Sequence, residues 1–252
     1  MDLKLDNKRV LMKGATGGIG REICKAFLME NAKIFNFYRE RNKMESLVSW
    51  LNDQGISTDK LHGCSVNLSD QDSVEDGFKK MMSEFGGIDI YVNVVGKAVE
   101  SPFLLGNSDD WEKAQEINLK PAVLLSRLVI KPMMLARSGS IVFISSIVAW
   151  RFGRGVVPYA TAKAALNRFA ETLAFEVGQK GIRVNLVCPG MIDTKMAESI
   201  KQKHSDFLEY HSALGRIGKP KEIAPAVLFL ASDATSSYMT GQKIVVDGGV
   251  SL

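Results

Sequence analysis

Tyr159 and Lys163 stand four residues apart in "PYATAKAAL", and Ser145 and Ser146 close the apolar run "SIVFISS" upstream. Positions i and i+4 share one face of a helix, so the phenol and the amine can meet. An ammonium beside a phenol favours phenolate and would bring the tyrosine pKa toward working pH. Ser146 lies 13 residues before Tyr159, enough for a strand end and a loop back to the helix. Its hydroxyl could then hold a carbonyl beside the phenol. The chemistry offered is proton transfer at an oxygen atom. A Y-x-x-x-K spacing alone occurs often on helix surfaces, so the meaning of these residues depends on what positions them.

A second group sits near the start, in "KGATGGIG". Gly14, Gly18 and Gly20 form G-x-x-x-G-x-G, with a helix expected from about Gly18. Glycines let the backbone turn tightly and approach a pyrophosphate, and a helix N-terminus offers free N–H groups. The plain alternative is a glycine-rich turn with no ligand. Position strengthens the nucleotide reading: strand, turn, helix, then the strand "AKIFNFY". A site selective for NAD usually ends that strand with an acid. Here Tyr38, Arg39, Glu40 and Arg41 follow instead, and a guanidinium at Arg39 can pair with a 2′-phosphate. NADP(H) is the expected cofactor. Glu40 is the ribose ligand if the cofactor is NAD(H).

The elements that must hold these groups recur along the chain. Apolar runs "RVLM", "AKIFNFY", "KLHGCSV", "IDIYVNVV", "SIVFIS", "IRVNLVC" and "KIVVDGG" alternate with amphipathic segments such as "IGREICKAFLMEN", "DSVEDGFKKMMSEF" and "DDWEKAQEINLKPAVLLSRLVIKPMM". This alternation predicts βαβ units and a mainly parallel seven-stranded sheet covered on both faces. No linker or repeat interrupts it, so residues 1–252 are expected to form one doubly wound α/β Rossmann domain.

Composition narrows the class. Hydrophobic residues make up 46% of the chain, enough for a sizeable core and against disorder. The net charge of +4 is scattered among acids, without the basic stripe that nucleic-acid binding needs. Cys24, Cys64 and Cys188 lie far apart, and His62, His204 and His211 show no ligand spacing. Disulfides and metal are not expected, and a reducing cytoplasm is the expected home. No signal region and no membrane-spanning apolar run are seen.

Taken together, "GATGGIG", "YVNVVG", "EINLKP", "IVFISS", "YATAKAAL", "GIRVNLVCPGMIDT", "GRIGKPKEIAPAVLFLASDATSSYMTGQ" and "VVDGG" resemble the short-chain dehydrogenase/reductase family. The chain is most similar to its bacterial 3-oxoacyl-acyl-carrier-protein reductase branch, and the resemblance covers essentially all 252 residues. It implies a catalytic tetrad at Asn118, Ser146, Tyr159 and Lys163. Tyr159 would be the general acid in reduction and Ser146 would polarise the carbonyl. Lys163 would bind the nicotinamide ribose and lower the tyrosine pKa, and Asn118 would hold a water in a proton relay. Ser145 is passed over because the family spacing selects Ser146. Cofactor contacts are implied at Gly14, Thr16, Gly18, Ile19, Gly20, Arg39, Asn67, Leu68, Asn93, Gly96, Pro189, Gly190, Ile192 and Thr194, besides Tyr159 and Lys163.

Three positions depart from the family pattern. A threonine is usual where Lys13 stands, and a lysine there needs an exit to solvent or an anion. The usual N-N-A-G reads Asn93, Val94, Val95, Gly96, and the usual adenine-contacting aspartate is Asn67. Residues at about 190–217 are expected to form a substrate lid, with Met191, Met196, Phe207 and Leu208 lining an apolar pocket or packing a helix core. Trp150 and Phe152 either border the cleft or simply pack their loop. Arg137 and Lys180 match positions that dock an acyl carrier protein, and a homotetramer is implied. A 3-oxoacyl thioester is thus the leading substrate. Another ketone (polyketide, sugar or steroid) and a nucleotide-binding regulatory protein without turnover are the alternatives.

Overall fold

The computed structural model describes residues 2–98, 102–151, 153–197 and 212–252. The seven apolar runs are strands: β1 Arg9–Lys13, β2 Lys33–Tyr38, β3 Leu61–Ser65, β4 Ile90–Asn93, β5 Gly139–Ile144, β6 Ile182–Pro189 and β7 Lys243–Val246. They form one sheet in the order β3-β2-β1-β4-β5-β6-β7, and every pairing is parallel. The fold is therefore a doubly wound Rossmann sheet, parallel throughout.

Alternation along each strand divides the core in two. Val10 and Met12 of β1, Ile34 of β2, Val92 of β4 and Val142 of β5 face one way. They meet Ile23 and Phe27 of α1 (Gly18–Met29), Leu47 and Leu51 of α2 (Arg41–Asp53), and Val227 and Leu230 from a helix at Ala224–Ala231. Leu11, Phe35, Phe37, Tyr91, Ile141 and Phe143 face the other way. Their partners come from α3 (Gln71–Phe85), α5 (Lys120–Ala136) and α6 (Val157–Val177). Strands buried on both faces explain why the runs read as continuously apolar.

The long pattern beginning at "DDWEKAQ" is two helices rather than one. α4 (Ser108–Asn118) ends at Leu119, whose φ of −122° leaves the helical region, and α5 starts at Lys120. Pro121 in the first turn of α5 has no N–H to continue the α4 ladder, so the break is written into the chain.

At the amino ends of β1 and β4 the Arg9 guanidinium donates twice to the Asp89 carboxylate, each at 2.8 Å, and the Arg9 N–H donates a third bond. Burial alone would raise the Asp89 carboxyl, but these bonds hold it below its usual range. The order in which strands are added reverses between β1 and β4, β1 to β3 being laid down to one side and β4 to β7 to the other, so the carboxyl ends of β1 and β4 open a crevice at the switch point.

Tyr91 lies fully buried between the layers, and its hydroxyl has no hydrogen-bond partner among the described residues. Tyr91→Phe should therefore leave the fold intact and raise stability by about 1 kcal/mol in chemical denaturation, since an unpaired buried hydroxyl costs free energy. A loss of similar size would show that the hydroxyl is bonded.

Candidate active site

β5 ends at Ile144 and delivers Ser145 and Ser146 to the crevice, where Ser146 caps a short 3-10 turn at Ile147–Ala149. The two serines part company there. Ser145 is buried and donates to Asn167 Oδ1 at 2.6 Å, tying the strand end to α6. Ser146 lies beside the Tyr159 hydroxyl in the same cleft and accepts from the Val148 N–H at 3.4 Å. Geometry thus separates Ser146 as the hydroxyl available beside the phenol.

Tyr159 and Lys163 share the face of α6 turned to this crevice, with the Lys163 ammonium 5.8 Å from the tyrosine ring centre. Lys163 is only 2% exposed and donates to the Ile144 carbonyl at 2.9 Å. Burial pushes its amine down to about 8. The expected lowering of the Tyr159 pKa is not what this arrangement produces. Burial pushes the phenol up to about 12, and only the Ser146 hydrogen bond opposes it. The ammonium stands too far away, and is itself too readily deprotonated, to outweigh desolvation. A protonated phenol at neutral pH is suited to give a proton to a developing alkoxide.

Asn118 closes the back of the site. Its Oδ1 accepts from the Lys97 N–H at 3.0 Å, and its Nδ2 donates to the Lys97 and Ala114 carbonyls at 3.1 and 2.9 Å. The side chain is thus spent on holding the loop after β4. A Cβ at Gly96 would lie 3.1 Å from the Lys163 amine and 3.3 Å from Asn118 Oδ1, so all three converge.

The glycine turn has the shape of a cradle. Gly14 has φ +100°, and a Cβ at Gly20 would lie 1.9 Å from the Gly14 carbonyl oxygen, so a side chain is excluded. Gly18 packs against Thr194, which places residues 189–194 opposite the start of α1. Between them opens an apolar cleft of about 440 Å³ lined by Ile19, Gly96, Ser146, Tyr159, Lys163, Pro189, Gly190, Ile192 and Thr194, among others. Thr16, Arg39, Asn67 and Leu68 lie outside the cleft, along the carboxyl ends of β1 to β3.

Asn93 departs from expectation. It is fully buried, with neither amide atom partnered among the described residues, and does not line the cleft. Val94 takes the place of the missing amide and packs on Gly14. Asn67 Oδ1 accepts from the Ser69 N–H at 3.2 Å, which leaves its amide group as the donor. Glu40 is engaged by Lys43 at 2.6 Å and Arg41 by Glu45 at 3.1 Å, whereas Arg39 forms no ion pair among the described residues. Lys13 has neither of the outlets expected of it. It is 6% exposed, and its amine donates to the Phe37 carbonyl at 3.1 Å.

Met191 and Met196 line the far part of the cleft with Val148, Val156, Arg151 and Val250. Arg151 went unnoticed in the sequence, where nothing sets it apart; its guanidinium donates to the Val250 and Leu252 carbonyls and ties the end of the chain to the rim. Trp150 stands outside the cleft, 41% exposed. Phe152, Phe207, Leu208 and half of the expected lid, residues 198–211, lie outside the described residues. No described helix is long and apolar enough to cross a membrane.

A family model described as enoyl-(acyl carrier protein) reductase matches residues 14–251. The 3-oxoacyl-acyl-carrier-protein reductase of Chlamydia muridarum is 39% identical over 99% of this chain and 100% of its own length. A short-chain type dehydrogenase/reductase from Mycobacterium marinum superposes with a TM-score of 0.91 at 30% identity, covering 99% of this chain and 97% of that one. A 7α-hydroxysteroid dehydrogenase complexed with NADH and 7-oxo glycochenodeoxycholic acid superposes at 0.89 with 31% identity, covering 98% and 96%. The chain belongs to the short-chain dehydrogenase/reductase family, oxidoreductases acting on a ketone or an alcohol.

The raised phenol pKa can be read directly. Difference absorbance between wild type and Tyr159→Phe, titrated without cofactor, should show no phenolate from Tyr159 at or below its ordinary value of 10.0. Ionisation at pH 7 to 8 would mean that the Lys163 charge dominates after all.

Proposed function

We propose that the protein reduces the 3-oxo group of an acyl thioester to a secondary alcohol with NADPH. The observation that carries this reading is the convergence of the Ser146 and Tyr159 hydroxyls with buried Lys163 in one apolar cleft. A carbonyl oxygen placed between Ser146 and Tyr159 would accept from both hydroxyls. Tyr159 would pass its proton to that oxygen as negative charge develops on it. Ser146 would hold the carbonyl in line and polarise it, and Lys163 would hold the nicotinamide ribose. A bound dihydronicotinamide supplies the hydride to the carbonyl carbon. Asn118 would act through the Lys97 loop that it fixes, beside the amine.

The cradle suits a dinucleotide. The turn admits no side chain at Gly20, holds Gly14 at φ +100°, and runs into the N-terminus of α1, where a pyrophosphate is favoured. Thr194, against Gly18, would hold the carboxamide. Arg39 favours NADP(H) over NAD(H), because it alone among Arg39, Arg41 and Lys43 has no acid partner among the described residues.

An acyl chain suits the apolar wall formed by Met191, Met196, Val148, Val156 and Val250. The Chlamydia relative, by its name, acts on a carrier-bound 3-oxoacyl group. Arg137 and Lys180 lie at the amino ends of β5 and β6, whereas the cleft opens at their carboxyl ends. Strands of this length span roughly 20–26 Å, so a carrier docked on these residues would serve the cleft of a second copy rather than its own. Trp111, Leu135 and Phe175, exposed on α4, α5 and α6, support such an assembly, a homotetramer by family resemblance.

Replacing both Arg137 and Lys180 by Glu should slow NADPH-dependent reduction of a carrier-bound 3-oxoacyl thioester by about ten-fold or more at low salt, an encounter effect. A small free acetoacetyl thioester should be reduced about as fast as by wild type. If both substrates respond alike, carrier docking at these residues is wrong; if only bulky cyclic ketones turn over, so is the thioester.

A further inference from the structure

Lys13 ends β1 immediately before the glycine turn, and its register partner on β2 is Phe37. Its amine reaches the Phe37 carbonyl, so the charge sits in the notch between the carboxyl ends of β1 and β2. That carbonyl lies two residues before Arg39. In a doubly wound sheet this notch is where the adenosine ribose of a dinucleotide is held. An amine has three protons to place, and one carbonyl accounts for only one of them. No carboxylate pairs with it among the described residues; the ionisable groups that face it are Arg39, beyond β2, and Cys64, on β3. Cys64 in turn faces Lys80 and Glu84 of α3. A buried cation without an anion is costly, and a second cation beside it makes the site costlier.

We infer that Lys13 is a specificity-determining residue, a second cation that acts with Arg39 to select the 2′-phosphate of NADP(H). This rests on the NADP(H) reading above and deepens it. The phosphate would supply the missing anion to both cations at once. Burial and the Arg39 charge push the Lys13 amine down to about 8, so without cofactor it is largely neutral above that pH. A dianion at the notch favours the charged form. NADPH binding above pH 8 is therefore accompanied by proton uptake at Lys13, and affinity is lost as pH rises through that value. Lys163 also lies near 8 but faces the nicotinamide end, common to both cofactors, so it cancels in a comparison of NADPH with NADH.

Titration calorimetry of NADPH and NADH from pH 7 to 9.5, in two buffers of different ionisation enthalpy, tests this without turnover. Wild type should prefer NADPH, show extra proton uptake with NADPH alone above pH 8, and lose part of the preference as pH rises. Lys13→Met keeps the stem and removes the amine. It should weaken NADPH by about ten-fold at pH 7, abolish the extra uptake, and leave NADH within about two-fold. Its melting temperature without cofactor should rise, because a buried charge is gone. A Lys13→Met protein that weakens both cofactors alike, or neither, would show that the lysine is only a peg for β2. If wild type prefers NADPH with no proton uptake beyond that of NADH, the inference fails while the NADP(H) reading stands. If wild type prefers NADH, both fail. Because the wild-type titrations decide by themselves, a variant that does not fold leaves the inference testable.

Discussion

A cation held out of water must be satisfied by the groups around it, and the cleft is arranged about one such cation. Lys163 is bonded to the carbonyl of Ile144, the last residue of β5. That bond sets α6 against the end of the strand. Since Ser146 follows Ile144 by two residues and Tyr159 precedes Lys163 by one helical turn, it also sets Ser146 against Tyr159. Ser145 reinforces the register by bonding Asn167 one turn further along α6. Both contacts use the geometry of a parallel strand, whose carboxyl end presents carbonyls and side chains beyond its last partner. The reacting groups thus lie on a rigid strand end and a long helix, with the loop after β4 pinned to them by Asn118.

The same device appears across the switch point. Lys13 takes the Phe37 carbonyl near the end of β2 much as Lys163 takes that of Ile144. Neither amine has a carboxylate partner among the described residues, and burial depresses both to about 8. A desolvated amine in a polar crevice is poised to gain its charge when an acceptor or anion arrives. The carboxyl edge of the sheet therefore carries two such amines on either side of the glycine turn. An anion or acceptor bound there would offset the free energy that burying these amines costs.

Much of this was legible in the chain. Seven apolar runs became seven strands; the five inner ones, β1, β2, β4, β5 and β6, are buried on both faces, and apolar runs report such burial directly. The i, i+4 spacing of Tyr159 and Lys163 survived because both lie inside one long helix. What sequence could not supply was distance and solvent. Proximity of an amine and a phenol suggested a lowered phenol pKa, but the outcome depends on burial, which residue spacing does not encode. The break at Leu119 was readable in Pro121 and was masked by continuous helical periodicity on both sides. Asn93 matched the family motif by position, yet burial, which the motif does not encode, removes its side chain from the cleft lining. Arg151 carries no local signal, because its partners lie about a hundred residues away.

The central claim is that Tyr159 supplies the proton for ketone reduction. The most direct measurement is single-turnover reduction of an acetoacetyl thioester by NADPH in Tyr159→Phe, alongside cofactor binding by the same protein. The substitution removes only the hydroxyl, so cofactor affinity should remain near that of wild type. Reduction should fall by ~10²–10⁴-fold or more, the usual contribution of a positioned general acid. A variant that binds cofactor normally and reduces the ketone at close to the wild-type rate would contradict the account.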